Sequence, residues 1–361
     1  MQGAPVLSGT VGSMIAVLDA ALINGFNVLA PSGISVTASV ATVTYAANHG
    51  YAMHDIIKVA GAVPAELNGE QRVTWVNSTT LKFTTTAADG AATGTLETRS
   101  APVGGWEKAF SGTNKAAYRR TDPSSTAMLL RIDDTAGRKA EATMYESMTD
   151  VDTGVGATIA VWMKSSTADA GVRKWRLIAD DKLFYLACYW HTSYSSQAGV
   201  NAFGDIASFK SGDAYHCMIS GDSSEDYTYP GYRNYFSMQS GAFNNTKLAR
   251  SYTHIGAGVE AGRLGLRNQD HIGSGGFTFP SSVDNSLLMH YPLVVTEPAV
   301  NAARGTMPGL IQPIQSLPLV DGSVVESIPQ MPGKRVLLFG IGLGASATEA
   351  RAAFDVTGPW R

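Results

Sequence analysis

Carboxylates occur close together at Asp133–Asp134, Asp150/Asp152, Asp180–Asp181 and Asp222/Glu225/Asp226. Two carboxyls placed across a sugar are the machinery of glycoside hydrolysis, but adjacency in sequence neither supplies nor excludes the spacing in space. Each pair also falls at a strand edge or turn, where Asp commonly bonds the backbone. The turn reading is the expectation. Asp222-Ser-Ser-Glu225-Asp226 lacks the alternating oxygens and fixed glycine of a calcium loop. The seven histidines, at 49, 54, 191, 216, 254, 271 and 290, show no HxxxH or HExxH spacing, and there is no CxxC pair. No zinc site is expected. No GxSxG elbow or Cys/His pairing marks a nucleophile.

GIGLGA at Gly340–Ala345 follows an apolar strand, as a dinucleotide fingerprint does. A nucleotide fold needs a full βαβ unit with further parallel strands, and nothing upstream alternates strand with helix. A turn between two terminal strands is expected instead, with no cofactor. The aromatics Trp106, Trp162, Trp175 and Trp190 sit in or beside alternating apolar runs and are expected in the core. Trp360, beside the C-terminus, is a candidate subunit-interface anchor, since aromatics dominate interface energetics.

The elements that position these residues are mostly strands. Residues 8–25 read as one amphipathic helix with Met14, Val17, Leu18, Ala21 and Leu22 on one face. Ser8, Thr10 or Ser13 could cap its start, and Gly25 stands where a left-handed C-cap is wanted. From about residue 32 the period becomes two. Ile34, Val36, Ala38 and Val40 alternate, and short β-branched runs between Gly, Asn and Pro turns describe a small antiparallel β module over 31–100. Strands are expected within 126–133, 139–147, 157–164, 172–179, 182–190, 201–209 and 286–295. In 182–190 both faces are apolar or aromatic, which predicts a strand covered on both sides. Strands at this spacing suggest a β-sandwich over 101–295, jelly-roll or Ig-like. From Pro292 to Pro332 lie seven of the 15 prolines, so 296–361 is expected as a proline-rich arm leading to terminal strands near 335–341 and 351–358.

The segment 221–240 is dense in Tyr, Ser, Gly and Asn. Tyr supplies rigid amphipathic contact area and the small polar residues adaptable hydrogen bonds. Tyr227, Tyr229, Tyr232 and Tyr235 are candidate receptor or glycan contacts, against the alternative of an ordinary surface loop.

Charged residues make up 16% of the 361, with net charge −3, below the roughly 25% of ordinary domains. Interface cores are depleted in charge, so the composition fits a protein packed against neighbours. It equally fits an uncharged β protein rich in Ser, Thr and Gly. No basic run suggests nucleic acid. No signal peptide or membrane span is expected. Cys188 and Cys217 are expected as buried thiols rather than a disulfide framework.

GGWEKAFSGTNKAAYR (Gly104–Arg119), MTDVDTG (Met148–Gly154), WRLIADDKLFY (Trp175–Tyr185) and FDVTGPWR (Phe354–Arg361) carry a resemblance that runs almost end to end. Together they resemble a family of tailed-bacteriophage virion proteins described as minor tail, baseplate or structural proteins. The pattern His-Gly-Tyr, Asp-Ile-Ile, Asn-Gly, Val-Thr, Phe in the small module is similar to a β module found repeatedly in phage structural proteins. The resemblance implies a virion location, synthesis in the host cytoplasm and contact with other tail proteins. Apolar strand faces and arms that bury surface between subunits lead to the expectation of a symmetric homo-oligomer, trimer or hexamer. With no catalytic motif, the chain is not expected to be an enzyme. A tail-tip receptor- or glycan-binding module and a tail-associated polysaccharide depolymerase with dispersed carboxylates are the alternatives.

Overall fold

The computed structural model describes residues 2–192, 198–221, 242–264, 278–315, 321–326, 328–340 and 351–360. The protein is mainly β, with one α-helix near the N-terminus among the described residues. It divides into two compact units, residues 1–6 with 16–104 and residues 7–15 with 105–361.

The helix spans Ser13–Leu18 and continues as a π-helical turn over Asp19–Asn24. Met14, Val17, Leu18, Ala21 and Leu22 are buried, so the apolar stripe expected from the sequence is the packed face. Its start falls at Ser13 rather than Ser8, because none of the local hydroxyls caps it. Ser13 Oγ donates to Ser8 O at 2.8 Å, and the Ser8 and Thr10 hydroxyls bond each other at 2.7 Å. The cap is tertiary: Asp134 Oδ2 accepts from the Met14 and Ile15 amides at 2.7 and 3.3 Å. Gly25 closes the segment with φ +70, and a Cβ there would lie 2.2 Å from Ser100 O.

In the first unit, strands Phe26–Leu29, Glu97–Ser100, Ile56–Ala60 and Gly69–Arg72 form one sheet in that order. Trp75–Val76, Thr80–Thr84, Val40–Thr44, Gly33–Thr37 and Gly90–Ala91 form another. Both feed one core that includes Ile34, Val36, Val43, Ile57, Val59, Leu81 and Phe83. The alternation read through Ala38 and Val40 is interrupted: Gly33–Thr37 and Val40–Thr44 are a hairpin with Thr37 opposite Val40. Ala38 and Ser39 make the two-residue turn at φ +50 and +62. Right-handed strand twist selects such a turn, and its geometry penalises a Cβ.

In the second unit, Trp106–Gly112, Lys115–Arg120, Leu129–Asp133, Lys139–Tyr145 and Thr158–Met163 form a five-stranded antiparallel sheet. A nine-stranded sheet runs in the order Trp175–Ala179, Leu183–Cys188, Gly199–Asp205, Cys217–Ser220, Ala242–Leu248, Val259–Leu264, Leu293–Glu297, Ala302–Met307, Ala207–Ser208. Its last strand directly follows its third in the chain. After Ile206 the strand that pairs Ala202 with Ser220 continues and pairs Ala207 with Thr306. The strands from 199 to 307 therefore close on themselves, which removes free edges. A third sheet joins Met289–His290, Leu310–Pro313, Arg351–Asp355, Val336–Gly340 and Val324–Val325. The sheets are separate rather than one sandwich.

Strand Leu183–Cys188 is buried on both faces, as its composition predicts. On one side Phe184 meets Trp106 and Trp162 of the five-stranded sheet, with ring centroids 5.3 and 5.9 Å apart. On the other, Tyr185 meets Phe354 at 5.0 Å and Trp360 at 5.7 Å. The segment 296–361 is thus not an extended arm in its described part. Leu310, Ile311, Leu338, Phe339 and Phe354 are buried, and Leu293–Glu297 pairs directly with Ala302–Met307 across the expected boundary at 296. The prolines punctuate short strands instead of extending the chain: Pro308 falls in the turn between two strands and Pro313 ends one.

Replacing Ala38 and Ser39 by Asn-Gly, which suits this hairpin turn, is expected to stabilise the protein by about 1 kcal/mol. Urea unfolding should show a higher midpoint at unchanged slope.

Candidate functional site

A cleft of about 730 Å³ opens where the nine-stranded sheet closes on itself, beside Ala207 and Ser208. Volumes of this size are typical of ligand sites. Its walls come from the segment 124–128, from Glu146 and Lys182, and from the loop 210–216.

Two buried ion-pair groups and one half-buried pair shape these walls. Asp205, fully buried, accepts from Arg120 Nη2 at 2.8 Å, from Thr126 Oγ1 at 2.6 Å and from the Thr126 amide at 2.8 Å, which fixes the 124–128 wall. The Arg120 guanidinium lies over Phe203 and Trp106, at 4.9 and 5.7 Å from the ring centroids. Asp213 holds the opposite wall. Its Oδ1 accepts from the Tyr215 amide at 3.0 Å and lies 3.1 Å from His254 Nε2. Its Oδ2 accepts from Ser208 Oγ at 3.1 Å and from Arg304 Nη2 at 3.2 Å. Arg304 Nη1 donates to Glu297 at 2.9 Å and to Arg250 O at 2.9 Å. Arg250 in turn grips both oxygens of Glu146, at 2.5 and 2.6 Å, with its guanidinium 4.6 Å from the Tyr215 ring centroid.

Burial raises the Asp213 carboxyl, but the Tyr215 amide, Arg304 and Ser208 outweigh it and hold the group below the usual carboxylate range. A glycosidase acid needs the opposite, a carboxyl held above that range. Glu146, Asp205 and Asp213 are each engaged by a cation, so these carboxylates serve to hold the walls. Lys182 and the exposed Lys210 also line the cleft, with Ser124, Ser125 and Ser208. Lys182 Nζ donates to Ser124 Oγ at 2.6 Å and pairs with Asp122 at 3.1 Å. Lys210 Nζ donates to Tyr252 O at 2.8 Å and lies 3.0 Å from His254 Nε2. Chemically the cleft suits a polyhydroxylic or anionic ligand held by hydrogen bonds.

The residues singled out from the sequence fall elsewhere. Tyr227, Tyr229, Tyr232 and Tyr235 lie outside the described residues, as do Asp222, Glu225, Asp226, His271 and most of the 340–345 run. The strands flanking that run, Val336–Gly340 and Arg351–Asp355, pair antiparallel, whereas a dinucleotide fold requires parallel neighbours. Trp360 packs on its own chain: the ring lies against Tyr185 and Gly309, and Nε1 donates to Asp355 O at 2.9 Å. It is half-buried. Trp106, Trp162 and Trp190 are buried in the core as expected, whereas Trp175, on the first strand of the nine-stranded sheet, is only half-buried.

The carboxylate pairs have structural occupations. Asp133 and Asp152 share Arg131, Asp180 accepts from the Lys182 and Leu183 amides, and Asp134 is buried against Lys164. Cys188 and Cys217 are buried free thiols, each pushed up to about 12 by burial. No group of ligating side chains among the described residues could hold a metal ion. Asp213, Arg250, Glu297 and Arg304 were not singled out from the sequence, although Glu297 and Arg304 stand in otherwise apolar or small-residue strands. A charge inside such a strand is the signal that marks a buried pair. No protein-family model matches the chain, and no curated protein is similar to it by sequence.

Replacing Arg304 by Met leaves Asp213 and Glu297 buried beside no guanidinium, and a loss of about 3–5 kcal/mol is expected in chemical denaturation. Asp213 contributes stability that is complete above its unfolded value near ~3.9 and is lost as pH falls through its lower folded value. Asp213→Asn should therefore flatten the stability profile below about pH 4 while lowering its neutral plateau.

Proposed function

We propose that this protein is a structural component of a bacteriophage tail or baseplate that assembles as a symmetric oligomer. The sequence resemblance supplies the context. The observation that carries the assembly reading is the distribution of charge. A chain with 16% charged residues spends Arg120, Asp205, Arg304, Asp213, Glu297, Lys164 and Asp134 inside. Meanwhile Val172, Ile255 and Val283 stand 72%, 77% and 92% exposed. A weakly charged surface with outward aliphatics suits burial against neighbouring subunits. The sandwich expected from the sequence enters this proposal only as facing layers, the sheet at 106–163 against the sheet face that carries Phe184. Trp360, half-buried on its own chain, keeps its proposed role as a subunit-interface anchor.

A second reading, a receptor- or glycan-binding module at the tail tip, is favoured by the cleft, whose lysines and hydroxyls suit a saccharide. The depolymerase reading draws less support, because the cleft carboxylates are held in ion pairs.

Native mass by light scattering, over a range of protein concentrations, tests the proposal. A discrete trimer or hexamer is expected. A monodisperse monomer that binds isolated host polysaccharide would replace it with the glycan-binding reading, and release of reducing ends would replace it with the depolymerase.

A further inference from the structure

Among the buried cations of the described residues, Arg120, Arg131, Arg173 and Arg304 are arginines; Lys164 is the one lysine. An arginine keeps its charge and is no nucleophile, whereas a buried lysine can release a proton and become one. Lys164 and Asp134 have fully buried side chains, and Lys164 Nζ contacts Asp134 Oδ1 directly. Lys164 Nζ has two further partners, Thr10 O at 2.7 Å and Ala136 O at 2.8 Å. A neutral amine that donates its two N–H bonds to these carbonyls turns its lone pair toward the third neighbour, the Asp134 carboxyl. The other carboxyl oxygen, Oδ2, accepts from the Met14 and Ile15 amides. Those two donors stand where negative charge would develop if Cγ became tetrahedral.

We propose that Lys164 and Asp134 form an intramolecular amide cross-link, Nζ to Cγ, in the folded protein. The pair starts as ammonium and carboxylate. One proton passes from Nζ to Oδ1, leaving a neutral amine beside a carboxylic acid. The amine attacks Cγ, and Oδ2 takes the electron pair under the Met14 and Ile15 amides. A second proton passes from Nζ to Oδ1, the Cγ–Oδ1 bond breaks, and one water departs. The amide retains one N–H and its carbonyl oxygen is Oδ2. No oxidant or cofactor enters the balance.

The surroundings favour the neutral forms that the step needs. Burial pushes the Asp134 carboxyl up and the Lys164 ammonium down, each opposed by the other's charge. Holding the two groups in contact replaces a bimolecular encounter with an intramolecular one. The cross-link would tie the ends of Leu129–Asp133 and Thr158–Met163 across the strand between them. It would also fix the residues that begin the helix.

The test is the intact mass of the full-length chain, measured after purification and again after prolonged incubation at neutral pH. The expected mass is one water below that of the sequence. Tryptic digestion should give a branched peptide joining the Asp134 and Lys164 segments, with no cleavage after Lys164. The Lys164→Arg variant, which keeps a cation at the site, should have the full mass. Three outcomes would overturn the proposal. One is an unchanged mass at both times with the linear peptide 140–164 recovered in full yield. Another is the same water loss in Lys164→Arg. The third is a loss mapped to Asp89 or Asp321, each followed by glycine and able to form a cyclic imide.

Discussion

Burial of strand Leu183–Cys188 on both faces is the constraint on which the larger unit depends. Its odd and even residues point to different cores, so neither face tolerates a polar residue without a partner. Phe184 is committed to Trp106 and Trp162, and Tyr185 to Phe354 and Trp360. Burying each such aromatic contributes about 2–3 kcal/mol. The five-stranded sheet and the C-terminal sheet therefore both pack on this strand, the first also reaching the neighbouring strand through Arg120 to Asp205. The Tyr185 hydroxyl, buried with its ring, donates to Pro308 O at 2.7 Å and ties the turn before Leu310 to the same place.

Closure of the neighbouring strands follows a related logic. A curled sheet brings Ala207–Ser208 back to Ala302–Met307, where the Ile206 amide donates to His216 O at 3.0 Å and the Phe209 amide to Arg304 O at 2.9 Å. Asp213 holds Ser208 and Arg304 at this seam and, with Glu297 and Arg250, builds the cleft wall. The same few charges thus hold the seam and shape the cleft. Charges used this way are unavailable to the surface, which links the fold to the weakly charged exterior on which the assembly reading rests.

Much of the strand content was legible because its period is local. The runs at 129–133, 139–145, 158–163 and 183–188 announce themselves by alternation or by continuous apolarity. The buried face of the helix was legible for the same reason. Its first residue was not, because the cap comes from Asp134, 120 positions away. The hairpin at Ala38–Ser39 was hidden, since neither residue is a usual turn former. The C-terminal region misled because proline density signals extension, while Phe339 and Phe354 are buried in the core that contains Tyr185, and Leu338 in one with Leu287, Ile311 and Ile328. The cleft was illegible for the same physical reason: Asp213, Glu297 and Arg304 meet only once the sheet has closed.

Native-state hydrogen exchange resolved by peptide fragments tests most directly whether one doubly buried strand holds these layers together. The account predicts that amides of 183–188, 336–340 and 351–355 share the slowest exchange and open together with global unfolding. Fast, independent exchange of 336–340 and 351–355, with 183–188 still protected, would contradict it and restore a detachable C-terminal arm.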